Sequence, residues 1–134
     1  MSAGNDARKL LLIDDDEGFT LALGRLLEHA GYAVRRARDG AEGLRLAAEE
    51  APDAVLLDFL MPVKNGFAVA EELRRMPGLA GVPIIAMTAF GQNVGEIYGL
   101  PRSKACGQIQ EFLEKPVEPN VLLDRLARLL AARP

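Results

Sequence analysis

The chain lacks a second cysteine, a second histidine, a long apolar run and a strong charge of one sign, and each absence removes a class of protein. Cys106 alone cannot close an internal disulfide, and the polar start from Met1 to Asp6 has no apolar signal core. Both point to a reducing cytoplasm. No apolar stretch approaches the roughly 20 residues of a membrane helix, so no membrane insertion is expected. The net charge is only −3, with Arg and Lys scattered among acids, which leaves no basic surface for a phosphate backbone. Direct nucleic-acid binding is not expected. His29 lies beside Gly31 at the end of a helical pattern and reads as a partner for the C-terminal helix dipole, not as a ligand.

What remains is globular composition, 49% hydrophobic and 26% charged over 134 residues. That length suits one domain and leaves no room for a separate output domain. Leu10–Ile13 reads as a buried strand, followed by Phe19, Leu23, Leu26, Leu27 and Ala30 at helical spacing before Gly31. Tyr32-Ala33-Val34 opens a second unit, whose helix follows Asp39-Gly40 and carries Ala41, Leu44 and Ala48. Ala54–Leu57 and a helix from Gly66 through Phe67, Ala70 and Leu73 form the third, and Val82–Met87 is a fourth strand ending at Thr88. Ile109–Leu113 reads as a fifth strand, and Leu122, Leu126, Leu129 and Leu130 line a last helix. Alternation of this kind requires a parallel sheet with helices on both faces, an α/β doubly wound architecture.

In such a sheet, chemistry collects where the strands end. Asp58 closes the apolar run Ala54–Leu57, and Asp14-Asp15-Asp16 closes Leu10–Ile13, so two strands deliver carboxylates to one edge. Thr88 and Lys115 stand at the corresponding ends of the fourth and fifth strands. Acids gathered this closely repel unless a cation joins them. Taken singly, Asp14–Asp16 fit an ordinary helix N-cap, Thr88 a capping hydroxyl and Lys115 a solvated lysine. Arg35, Arg36 and Arg38 fit a solvated strand edge, and Cys106 a spectator thiol.

Four strings in order, Leu11-Leu12-Ile13-Asp14-Asp15-Asp16, Pro52 through Pro62 with Asn65-Gly66, Met87-Thr88-Ala89 and Glu114-Lys115-Pro116, carry a closer match. The set resembles the receiver domain of two-component response regulators, from Leu10 to Leu130. The resemblance implies a flavodoxin-like (βα)5 fold with strand order 2-1-3-4-5, a receiver over 9–132, a flexible segment 1–8 and no output domain. It implies that Asp58 accepts a phosphoryl group from a sensor histidine kinase or phosphotransfer protein. Mg2+ would be held by Asp14, Asp15, Asp58 and the backbone carbonyl of Leu60. Lys115 would pair with Asp58 and then with phosphoryl oxygens, and Thr88 would donate to one of those oxygens. Phe112 would turn inward with Thr88, acting by packing because it has no hydroxyl, and a downstream protein would bind that form. Lys115-Pro116 resembles the family's cis peptide. The product is a switch that catalyses its own phosphorylation and slow dephosphorylation, not a turnover enzyme.

The chain departs from the family between Thr88 and Lys115, which are 27 positions apart. Gly91, Gly95, Gly99 and Pro101 disfavour a regular fourth helix, and the added residues are placed within Pro101–Gln110. That alteration puts the usual dimerisation surface in doubt and suggests a private docking surface. Leu60 and Phe90 flank the expected path of attacking water and cannot orient it, which predicts slow loss of the phosphoryl group. The rival within the family is a degenerate receiver that binds partners without phosphorylation. A phosphohydrolase using an aspartyl phosphate would need a cap or pocket for which the chain has no room, and a dinucleotide-binding fold would need glycines where Asp14–Asp16 stand.

Overall fold

The computed structural model describes residues 7–59, 66–88 and 109–132. Five parallel strands, β1 (Lys9–Ile13), β2 (Ala33–Ala37), β3 (Ala54–Asp58), β4 (Ile84–Thr88) and β5 (Glu111–Glu114), form one sheet in the order β2-β1-β3-β4-β5. Four helices are described: α1 (Glu17–His29), α2 (Gly40–Glu49), α3 (Gly66–Arg75) and α4 (Pro119–Ala131). The parallel sheet expected from the alternation is observed, in the strand order that the resemblance implied.

The two-residue period of the strands divides the core. Leu11, Ile13, Val55, Leu57, Ile84 and Ala86 face Leu46 and Ala47 of α2 and Val69, Ala70 and Leu73 of α3. Leu10, Leu12, Leu56, Ile85 and Met87 face Leu23 and Leu27 of α1 and Leu122, Leu126 and Leu130 of α4. Because both faces are covered, β3 and β4 are buried at every position, which is why they read as continuous apolar runs and not as alternation. Full burial of one such Leu or Ile contributes about 1.5–3 kcal/mol, so these runs fix the sheet firmly.

Three sequence expectations change. The buried face of α2 is Gly40, Gly43, Leu46 and Ala47, while Ala41 and Ala48 are exposed. Gly43 sets that face, because a Cβ there would lie 2.5 Å from Ile13 Cδ1 and only hydrogen lets the helix approach β1 so closely. β5 starts two residues later than predicted. Ile109 is buried ahead of the ladder, and the Gln110 side chain accepts the Ile84 N–H at 2.7 Å, so strand pairing begins at Glu111 opposite Ile85. Arg35 is not merely solvated: its guanidinium reaches the Leu46 carbonyl at 3.4 Å and Glu49 Oε1 at 3.1 Å, tying edge strand β2 to α2.

Side chains close the helix ends. Asp39 caps α2 through the Glu42 N–H, Glu118 caps α4 through the Val121 N–H, and His29 sits in the last turn of α1. No helix among the described residues is long and apolar enough to cross a membrane.

Candidate functional site

Strand register assembles the site. Ile13 pairs with Leu57, Asp58 with Met87 and Thr88 with Glu114, so the chain continues from these pairs into Asp14, Phe59 and Lys115 at one edge of the sheet. Each exit is pinned by a backbone bond: Asp14 N–H to Ala37 O at 3.0 Å, Phe59 N–H to Met87 O at 3.0 Å, and Lys115 N–H to Thr88 O at 2.7 Å. The Lys115–Pro116 peptide is cis, as the resemblance implied.

Asp14, Asp58 and Thr88 are buried at 1%, 5% and 5% exposure, whereas Asp15 is exposed. Carboxylate oxygens of Asp14, Asp15 and Asp58 all lie within 4.8 Å of one another. Like charges this close cost free energy unless a cation sits among them, and an all-oxygen donor set open to solvent through Asp15 fits a small hard divalent ion. Lys115 supplies one positive charge. Its Nζ donates to Asp14 Oδ2 at 2.7 Å and lies 3.7 Å from Asp58 Oδ2, so it bridges both buried acids and makes the shorter contact to Asp14. Burial works against that charge, but the hydrogen bond to Asp14 and the charges of Asp14, Asp58 and Asp16 outweigh it and hold the ammonium above lysine's usual range.

The acidic triplet divides its labour. Asp14 and Asp15 face the cluster, while Asp16 is the N-cap of α1 and accepts the Phe19 N–H at 3.0 Å. The capping alternative therefore holds for Asp16 alone. Asp14 Oδ1 accepts the Asp16 N–H at 3.0 Å, which joins the cap to the cluster.

Gly66, the first residue of α3, lies against the backbone that follows the buried acid. A Cβ there would meet Phe59 Cα at 2.7 Å and the Asp58 carbonyl oxygen at 3.0 Å. Phe59 is buried and packs edge-to-face on Phe112, with ring centroids 5.7 Å apart and planes at 85°. Phe112 is half-buried on β5 and leans on the α2–α3 side of the core. Sequence reading missed two aromatic neighbours, Phe59 and Phe19. Phe59 entered only within the string Pro52 through Pro62 and carried no role of its own, although it directly follows Asp58. Phe19 passed as a core position of α1, yet Lys115 Nζ lies 4.5 Å from its ring centroid. An aromatic in the first helical turn after an acidic triplet was the available signal.

A cleft of about 520 Å3 adjoins Asp14, with Glu17, Thr20, Leu21, Arg36 and Arg38 among its walls. The expected carbonyl of Leu60, Phe90, Cys106 and the altered segment 89–108 lie outside the described residues.

Fold, register and acid cluster together define a signalling domain: the chain belongs to the response regulator receiver domain family, which matches residues 10–127. It is similar to the protein PilH of Pseudomonas aeruginosa, with 31% identity covering 92% of this chain and 98% of that protein. It is 35% identical to the DNA-binding dual master transcriptional regulator RpaA of Synechocystis, covering 91% of this chain and 48% of RpaA. The chain thus spans about half the length of RpaA and of several other curated relatives. Among solved structures it resembles the chemotaxis protein CheY4 of Vibrio cholerae, with a TM-score of 0.80 and 29% identity over 92% of this chain and 98% of that one.

Proposed function

We propose that the chain is a phosphorelay switch whose acceptor is Asp58, and that it signals by changing its affinity for a protein partner. The observation that carries this reading is the convergence of three carboxylates within 4.8 Å, two of them bridged by Lys115, with Thr88 at the end of the neighbouring strand. Asp58 attacks the phosphorus of a phosphohistidine on a sensor kinase or phosphotransfer protein. A carboxylate oxygen–phosphorus bond forms, the phosphorus–nitrogen bond breaks, and the imidazole leaves. Such a transfer asks mainly for alignment and charge neutralisation, which a preorganised pocket supplies.

Asp14, Asp15 and Asp58 would hold Mg2+, with the Leu60 carbonyl as the further expected ligand. The bound ion supplies neutralising charge for the phosphoryl oxygens. Lys115 keeps a compact positive charge beside Asp58 that can pass from carboxylate to phosphoryl oxygens. The hydroxyl of Thr88 donates to one of those oxygens, and Phe112 answers by repacking, so a partner that prefers the repacked surface is bound more tightly. The domain covers residues 9–132, acts in the cytoplasm and turns over no substrate beyond its own acyl phosphate.

Intact mass after incubation with acetyl phosphate tests the reading. One added phosphoryl group is expected in the wild type with Mg2+, and none without Mg2+ or in Asp58→Asn. No gain under any condition would overturn the acceptor role and leave a phosphorylation-independent binding module.

A further inference from the structure

Lys115 is a flexible point charge on a four-carbon stem, yet its task under the proposed function requires one position. Fixing such a side chain opposes a large rotamer entropy, and a single hydrogen bond to Asp14 leaves it free to pivot. Asp58 at 3.7 Å attracts the ammonium as well, and Phe19 supplies a further restraint from another side chain. The contacts form a closed ring: Lys115 Nζ to Asp14 Oδ2 at 2.7 Å, Asp14 Oδ1 to the Asp16 N–H at 3.0 Å, Asp16 Oδ1 to the Phe19 N–H at 3.0 Å, and the Phe19 ring back to Lys115 Nζ at 4.5 Å. The aspartate that binds the ammonium through one oxygen thus seats, through the other, the helix cap that carries the ring. Phe19 is itself held, since it packs half-buried against the core shared by α1 and α4.

An aromatic face attracts an ammonium without neutralising it. A carboxylate in that place would compete for the charge, whereas the ring leaves Lys115 available to phosphoryl oxygens. We propose that Phe19 is a positioning residue that holds the Lys115 ammonium between Asp14 and Asp58. The inference rests on the phosphoacceptor reading.

Two variants of the full chain separate positioning from packing. Phe19→Leu keeps apolar bulk and removes the ring, and Phe19→Tyr restores the ring. The first readout is the NMR shift of the Lys115 ε-methylene protons, which a ring at this distance moves away from the free-lysine position. That displacement is expected in the wild type and Phe19→Tyr, and to collapse in Phe19→Leu. The second is Asp58 phosphorylation by acetyl phosphate with Mg2+. Phe19→Leu is expected to lower the maximal rate about two- to five-fold, the effect of losing one partly exposed cation–π contact, with the half-saturating donor concentration unchanged. In a Lys115→Met background the same substitution should have no further effect.

Unshifted wild-type ε protons, or an equal rate loss in the Lys115→Met background, would overturn the proposal and reduce Phe19 to a core residue. A wild type that gains no mass would instead sink the acceptor reading, while the ε-proton shift would still decide whether the ring holds the lysine.

Discussion

Replacing Gly66 by Ala tests how tightly the start of α3 is packed against the end of β3. A Cβ at this position would stand 2.4 Å from Phe59 Cδ1, 2.7 Å from Phe59 Cα and 3.0 Å from the Asp58 carbonyl oxygen. The ring carbon could swing away, but the other two atoms are backbone next to β3, and Phe59 is itself 1% exposed. Relief requires the start of α3 to move off the sheet, stretching the Gly66 N–H to Phe59 O bond of 3.3 Å. Overpacking of this kind costs about 1–3 kcal/mol. Alanine's better helix propensity returns at most ~1 kcal/mol, and less at a first helical position. Displacing Phe59 also weakens its edge-to-face contact with Phe112, which adds about 0.5–1.5 kcal/mol. A net loss near 2 kcal/mol, or a Tm lower by roughly 6–10 °C in a domain of this size, is expected. Urea unfolding with unchanged slope would measure it, with Gly81→Ala as control, because a Cβ at Gly81 meets nothing within 4 Å. A Gly66→Ala protein as stable as the wild type, or a control that falls equally, would refute the reasoning.

The remaining predictions address packing and charge. Arg74 donates to the carbonyls of Leu79, Ala80 and Val82 and to Gln110 Oε1, so Arg74→Ala leaves part-buried acceptors without this partner and should cost about 1–3 kcal/mol in urea unfolding. A double-mutant cycle of Phe59→Leu and Phe112→Leu should show a coupling of about 0.5–1.5 kcal/mol, and strict additivity would show that the edge-to-face contact contributes nothing specific. The Glu49 carboxyl is held below its usual range, first by its hydrogen bond from Arg35, with burial opposing and Arg45 assisting. A depressed acid adds stability above its unfolded value near 4.5, and that stability fades as pH falls through the lower folded value. Urea midpoints of Glu49→Gln should therefore fall less steeply on acidification than those of the wild type, and identical acid limbs would count against the Arg35–Glu49 contact.

Much of this fold was legible because its signals are local and repeated. Three apolar strand runs, ending at Asp14, Asp58 and Thr88, together with two shorter strand signals, specified a parallel sheet and the edge where Asp14, Asp58, Thr88 and Lys115 collect. Spacing alone could not give what depends on contacts between distant elements. The α2 face was misread because Gly43, an absence of side chain, determines how near the helix comes to Ile13. Arg35 looked solvated because its partners, Leu46 and Glu49, belong to the next element. Phe19 looked like core because it stands 96 positions from the lysine above its ring.

The same logic explains why the acids sit where they do. A carboxylate as buried as Asp14, at 1% exposure, is tolerated only when its oxygens are engaged, and here one takes the Asp16 N–H and the other Lys115. The helix cap, the buried acid and the lysine are thus parts of one hydrogen-bonded chain. Asp58 lies 3.7 Å from that lysine, so a change in its charge acts directly on the ammonium that Asp14 holds. The Lys115 N–H is in turn bonded to the Thr88 carbonyl at 2.7 Å, so a shift of the lysine bears on the ends of both β4 and β5. Coupling between the acid cluster and the ends of β4 and β5 therefore follows from how the buried charges are satisfied.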